Sequence, residues 1–176
     1  MKKITILSLV GLILCCGAAI WADDDIENNM ASTPELLKKW SNSSAATLLP
    51  NGGPKGRPAI KITNDKPDAS RLIQYQLDLN QVRGKIIELT ADVKAENVSK
   101  GPKNYLGIKL MIIVTQADNT KKHFDIMIGK SGSYNWRDYE VKAEIPQDAK
   151  KVTLCLGLQS ATGAVYFSDI DVDVDD

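Results

Sequence analysis

Within the run 85–97 apolar and polar side chains alternate without a break from Ile87 to Glu96. Ile87, Leu89, Ala91, Val93 and Ala95 fall on one side, and Glu88, Thr90, Asp92, Lys94 and Glu96 on the other. A two-residue period is the signature of a pleated strand, and a wet side opposite an apolar one marks a sheet that buries a single face. The same period returns at Val152, Leu154, Leu156 and Leu158. It also returns at Tyr139, Val141, Ala143 and Ile145, where Pro146 removes an amide donor and halts the ladder. The short polar link 147–150 predicts that these two segments are antiparallel neighbours. Ala161-Thr162-Gly163 then turns the chain into a third strand, which ends in alternating aspartates.

Other segments extend the pattern. Residues 59–63 and 72–77 have strand character, and 106–115 is apolar on both sides, as a central or covered strand must be. Phe124, Ile126 and Ile128 continue the buried set, with Asp125 and Met127 opposite. Helical signals are confined to a short turn opened by Thr33 as cap and Pro34 at the first helical position. Turn formers recur every eight to twelve residues, densest at 50–56. The expected fold class is therefore all-β: a two-sheet antiparallel β-sandwich of jelly-roll type.

The amino terminus has the layout of a secretory signal peptide, with Met1, Lys2 and Lys3 before an apolar run that ends near Ala19 and Ala22. Cleavage after Ala22 assigns 1–22 to the leader, and the chain is expected to be secreted or periplasmic, with no membrane span after cleavage. Residues 23–33 are acidic and aperiodic and are expected to form a flexible tether, leaving 34–176 as the domain. The chain's 22 basic and 22 acidic residues balance, so nothing calls for nucleic acid. Beyond residue 22 the one cysteine is Cys155, set between leucines as a small strand residue, so an intramolecular disulfide is excluded. One histidine, His123, and no nucleophile elbow, zinc pattern or phosphate loop argue against an enzyme.

Several stretches in fixed order carry a resemblance: Asn104-Tyr105-Leu106-Gly107-Ile108-Lys109-Leu110-Met111, Gly132-Ser133-Tyr134-Asn135-Trp136, Ile145-Pro146, Leu156-Gly157-Leu158-Gln159, and Gly163-Ala164-Val165-Tyr166-Phe167-Ser168-Asp169-Ile170. Together they resemble the carbohydrate-binding modules of the family 4/9 type, galactose-binding-like jelly rolls found beside bacterial glycoside hydrolases. The resemblance implies a non-catalytic module that binds a soluble polysaccharide or oligosaccharide, with a glycoside hydrolase or another extracytoplasmic protein as partner. It also implies a structural calcium between the early loop and the last strand. Where that family has two acidic residues after the aromatic pair, this chain has Ser168 and Asp169, so Asp169 is the one candidate ligand. The alternative is a structural or protein-interaction sandwich that uses the same groove.

Sugar recognition needs flat aromatic faces for the pyranose ring, with amides and carboxylates for its hydroxyls. The face opposite the core is expected to carry Gln74, Gln76, Lys109, Met111, Ile113, Asp125, Met127 and Thr153. Of these, Gln74, Gln76, Lys109 and Asp125 are the polar ligand candidates. Tyr105 and Tyr134, in loops, are the aromatic ones, and Trp136 joins them, although it and Trp40 also suit a wedge at the core edge. The carboxyl-terminal aspartates otherwise suit a solvated edge that discourages strand pairing between molecules.

Overall fold

The structure, a computed structural model, describes residues 28–175. The leader and the first residues of the expected tether lie outside that range. Nine strands form two antiparallel sheets: β1 (Ala46–Leu49), β2 (Ala59–Asn64), β3 (Ser70–Gln76), β4 (Ile86–Val98), β5 (Gly107–Thr115), β6 (Lys121–Asp125), β7 (Gly132–Glu144), β8 (Lys151–Gln159) and β9 (Gly163–Asp175). A five-stranded sheet has the order β1-β2-β9-β4-β7, and a four-stranded sheet has the order β3-β8-β5-β6. The expected all-β sandwich is what the chain forms.

The pairing differs from expectation at one place. Segments 139–145 and 152–158 are not neighbours: β7 pairs with β4 in one sheet and β8 pairs with β3 and β5 in the other. The link 147–150 is an arch between sheets rather than a hairpin turn. So is the passage from β8 to β9, which lies between β2 and β4. An arch lets the apolar sides of consecutive strands face each other across the core, and their alternation is then indistinguishable from that of a hairpin.

Between the sheets, Ile60, Ile62, Leu89, Phe167 and Val172 from the larger one meet Ile73, Leu110, Ile112, Leu154 and Leu156 from the smaller, all fully buried. The last strand keeps its apolar side inward only by a bulge. Thr90 pairs with Asp171 but Asp92 pairs with Ser168, so Ala91 faces Asp169 and Ile170 together. Asp169 has a φ of 46°, in the left-handed region. Upstream the buried residues are Val165 and Phe167, and downstream they are Ile170, Val172 and Val174. Asn64, itself buried, donates through Nδ2 to the carbonyls of Lys66 (2.8 Å), Ala69 (3.0 Å) and Ala161 (2.8 Å), pinning two loops to the end of β2.

Helix is short, as expected. In α1 (Pro34–Lys38) Thr33 Oγ1 accepts from the Leu36 amide at 3.2 Å; α2 (Leu79–Val82) occupies the turn before β4. The expected tether is corrected over its described part. Met30 and Ala31 are buried, the Met30 amide donates to the Ile170 carbonyl at 2.9 Å, and the Asn29 amide donates to Asp171 Oδ1 at 2.6 Å. Trp40 closes this segment down: it is buried, its Nε1 donates to the Met30 carbonyl at 3.1 Å, and its ring lies 5.4 Å from that of Tyr75. An aperiodic segment here gains order from one buried methionine and one indole.

Two further expectations are corrected. Ile128 lies beyond the end of β6 and is 73% exposed, because the chain leaves the sheet at Asp125. Tyr134 belongs to β7 rather than to a loop, because the strand already begins at Gly132.

Candidate functional site

The outward face of the four-stranded sheet is built by register. Gln74, Cys155, Met111 and Asp125 form one row across β3, β8, β5 and β6, and Gln76, Thr153, Ile113 and His123 form the next. Leu72, Gly157 and Lys109 make a third. Paired residues point to the same side of a sheet, so the face expected from alternation is the face observed.

A groove of about 840 Å³ runs over this face. Its apolar floor is Leu72, Met111, Ile113 and Cys155, and its polar lining includes Gln74, Asn104, Lys109, Asp125, Lys130 and Gln159. Tyr105, 57% exposed, offers its ring at the rim. The volume is that of a site for a small molecule or a few sugar rings. Cys155 is fully buried beneath it, and burial pushes its thiol up to about 11, so it stays a neutral part of the floor.

At one end three charges meet. Lys109 Nζ donates to Asp125 Oδ2 (2.7 Å) and to the Tyr105 carbonyl (2.5 Å), and Lys130 Nζ donates to the same Oδ2 at 2.5 Å. All three side chains are nearly buried, at 4%, 13% and 11% exposure for Lys109, Asp125 and Lys130. Burial holds the Lys130 ammonium below the ordinary lysine range, against the pull of Asp125. Lys109 thereby ties the loop that carries Tyr105 to the sheet.

Among the expected ligand residues, Gln74, Tyr105, Lys109 and Asp125 come together here. Gln76 shares the face, in the row of Ile113 and His123, but stands outside the lining. Tyr134 and Trp136 lie elsewhere, because both belong to β7 of the other sheet. The Tyr134 hydroxyl donates to the Gly129 carbonyl at 2.7 Å and its ring packs on Tyr139, while burial pushes its phenol upward. Trp136 meets Tyr166 edge-on, with ring centroids 6.3 Å apart, on the outer side of the five-stranded sheet. Lys130, Asn104 and Gln159 are lining residues the alternation pattern did not single out, since they stand in loops or at a strand end, where periodicity carries no signal.

The residues about Asp169 do not fit a calcium ion. A calcium shell takes six to eight oxygens. Here the Asp169 carboxylate is engaged by the Arg57 guanidinium, which also donates to Asp92 Oδ2 (2.8 Å) and the Pro54 carbonyl (3.3 Å). Ser168 Oγ donates to the Pro58 carbonyl at 2.7 Å. Among the described residues no group of three or more histidine, cysteine, aspartate or glutamate side chains is placed to hold a metal. The arginine joins the early loop to the last strand, the connection expected of the cation. The melting temperature is accordingly expected to be equal in chelator and in millimolar calcium. A rise with calcium in a thermal scan would overturn this, since a ligand held only by the native state must stabilise it.

Fold and groove together define a jelly-roll sandwich with a ligand-sized cleft on its smaller sheet. No protein-family model and no curated protein matches the chain by sequence. Solved structures match it by shape. The C-terminal family 22 carbohydrate-binding module of Clostridium thermocellum Xyn10B superposes with a TM-score of 0.63 at 15% identity, over 87% of this chain and 96% of that one. The CBM22-1 xylan-binding domain of Paenibacillus barcinonensis Xyn10C gives 0.59 at 12% identity, over 87% and 96%. The Clostridium CBM22-1 and GH10 modules complexed with xylohexaose give 0.61 at 14% identity. This chain covers 86% of itself there but only 28% of that longer chain. The shared feature is the sandwich, and the solved modules named here are of family 22.

Proposed function

We propose that this chain is a secreted, non-catalytic carbohydrate-binding module that seats a polysaccharide or oligosaccharide chain in the groove over β3, β8, β5 and β6. The observation that carries the reading is the groove itself. An exposed tyrosine at the rim, amides at Gln74, Asn104 and Gln159, and a soft apolar floor are the groups that hold a sugar ring by one face and its hydroxyls by their edges. Modules of the same fold are described as xylan-binding, which makes β-linked xylo-oligosaccharides the first ligands to try. A glycosidase needs two carboxyl groups about the scissile bond, and among the described residues Asp125 is the only carboxylate that lines the groove. A glycoside hydrolase working on the same glycan is the fitting partner.

Affinity electrophoresis on soluble polysaccharides, with titration of xylohexaose, tests the reading. Retardation is expected, and Tyr105→Ala should weaken binding roughly tenfold, the loss of about 1–2 kcal/mol expected for an aromatic anchor. No retardation on a broad panel would overturn it. A second reading has one observation in its favour. Met127 and Ile128, 88% and 73% exposed, stand side by side after β6, and an exposed apolar pair suits a protein partner. A partner captured by the chain and retained in excess free sugar would favour that alternative.

A further inference from the structure

The chain's charges balance in number but not in space. On the outward face of the five-stranded sheet, Glu88, Asp92, Asp138, Glu140, Asp171 and Asp173 outnumber Lys61, Lys94 and Lys142. On the groove face the bias reverses. Lys109 points outward from β5, Lys121 and Lys151 flank Thr115 in the row nearest the β5–β6 turn, and Lys130 follows from the loop. The only outward carboxylate of these strands is Asp125, and two ammonium groups already share its Oδ2.

That sharing leaves one positive charge uncompensated in a largely desolvated place. Lys109 uses two of its donors, on Asp125 and the Tyr105 carbonyl, and Lys130 uses one, on Asp125. Ammonium hydrogens therefore remain to be met at the groove wall. A neutral hydroxyl can accept from them but cannot offset the charge. An anion can do both, and charge-assisted hydrogen bonds are roughly twice as strong as neutral ones. A cleft of one sign on a body whose far side carries the other also draws an oppositely charged ligand toward it from solution.

From this we infer that the groove selects an anionic glycan, one whose rings carry carboxylate or sulfate groups, with Lys130 and Lys109 meeting the anionic group and Lys121 and Lys151 extending the attraction along the sheet. The inference rests on the carbohydrate-binding reading and narrows it.

The test compares matched ligands on the intact chain: glucuronoxylan against the same polymer with its carboxyl groups reduced, and a heparin-type sulfated oligosaccharide against its desulfated form. The charged member of at least one pair should bind roughly tenfold more tightly at 50 mM salt. That preference should shrink toward 1 M salt, where the screening length falls to about 3 Å. Which pair shows it separates uronate from sulfate. Lys121→Gln/Lys151→Gln, at exposed positions where folding is not at stake, should reduce the ratio of charged to neutral affinity. Equal binding within both pairs would overturn the inference and leave the carbohydrate reading intact. No binding of any member would defeat the carbohydrate reading itself. An affinity for the charged member that is undiminished in Tyr105→Ala would mark adhesion of a polyanion outside the groove, and would also overturn the inference.

Discussion

Asp125→Asn is expected to cost the fold about 3–5 kcal/mol, the loss that follows when one partner leaves a buried ionic group uncompensated. The aspartate is the counter-ion of two ammonium groups, Lys109 and Lys130, both largely withdrawn from water. An asparagine oxygen can still accept their hydrogen bonds but carries no charge, so two like charges would face each other in a weakly screened pocket. Lys109→Met should be milder, because Lys130 stays paired with Asp125 and methionine fills a similar volume. Urea unfolding checks both: the midpoint should fall sharply for Asp125→Asn at an unchanged m-value, and less for Lys109→Met. A shift below about 1 kcal/mol for Asp125→Asn would mean that water reaches the cluster, as at an exposed ion pair.

Trp40→Ala should be of similar size, about 3–5 kcal/mol, the range for deleting a large buried aromatic. Its ring is buried against Tyr75, and its Nε1 satisfies the Met30 carbonyl. The alanine variant therefore opens a cavity and strands a carbonyl at once. Trp40→Phe separates these contributions. It keeps most of the apolar contact and should lose only about 1 kcal/mol with the hydrogen bond. The cut pattern in limited proteolysis gives a second measure: residues 28–33 should resist cleavage in the wild type and be nicked early in Trp40→Ala.

What the sequence made legible was the parity of strands long enough to state it. The five alternating apolar residues of β4, the doubly apolar β5 and the leucines of β8 each announce a strand and which side is wet. Parity, with the expectation that these strands share a sheet, set Gln74, Lys109, Met111 and Asp125 on one face, and they line the groove together. Partnership was not legible. Alternation in β7 and β8 is the same whether the strands pair or face each other across a core, and nothing in 147–150 distinguishes a hairpin from an arch. Nor does the pattern show that Tyr134 and Trp136, ligand candidates as aromatics at a loop, stand on β7 in the other sheet. β1, four residues at a sheet edge with no clean alternation, gave no signal. Contacts that close between distant loops were equally silent: Arg57 reaches Asp169 only once β2 and β9 have paired.

The bulge at Asp169 decides which way the second half of the last strand faces. Upstream of it odd-numbered residues face the interior, and downstream even-numbered ones do. Excising that one residue would make the strand regular and leave its sides as they are, because Ile170 would then follow the outward-facing Ser168 directly. Regular pairing with the residue kept would instead drive Asp171 and Asp173 between the layers and turn Ile170, Val172 and Val174 to water. A carboxyl-terminal segment that looks like a simple acidic comb is thus registered by a single left-handed residue, and it tolerates substitution along its outer teeth far better than the loss of that residue's conformation.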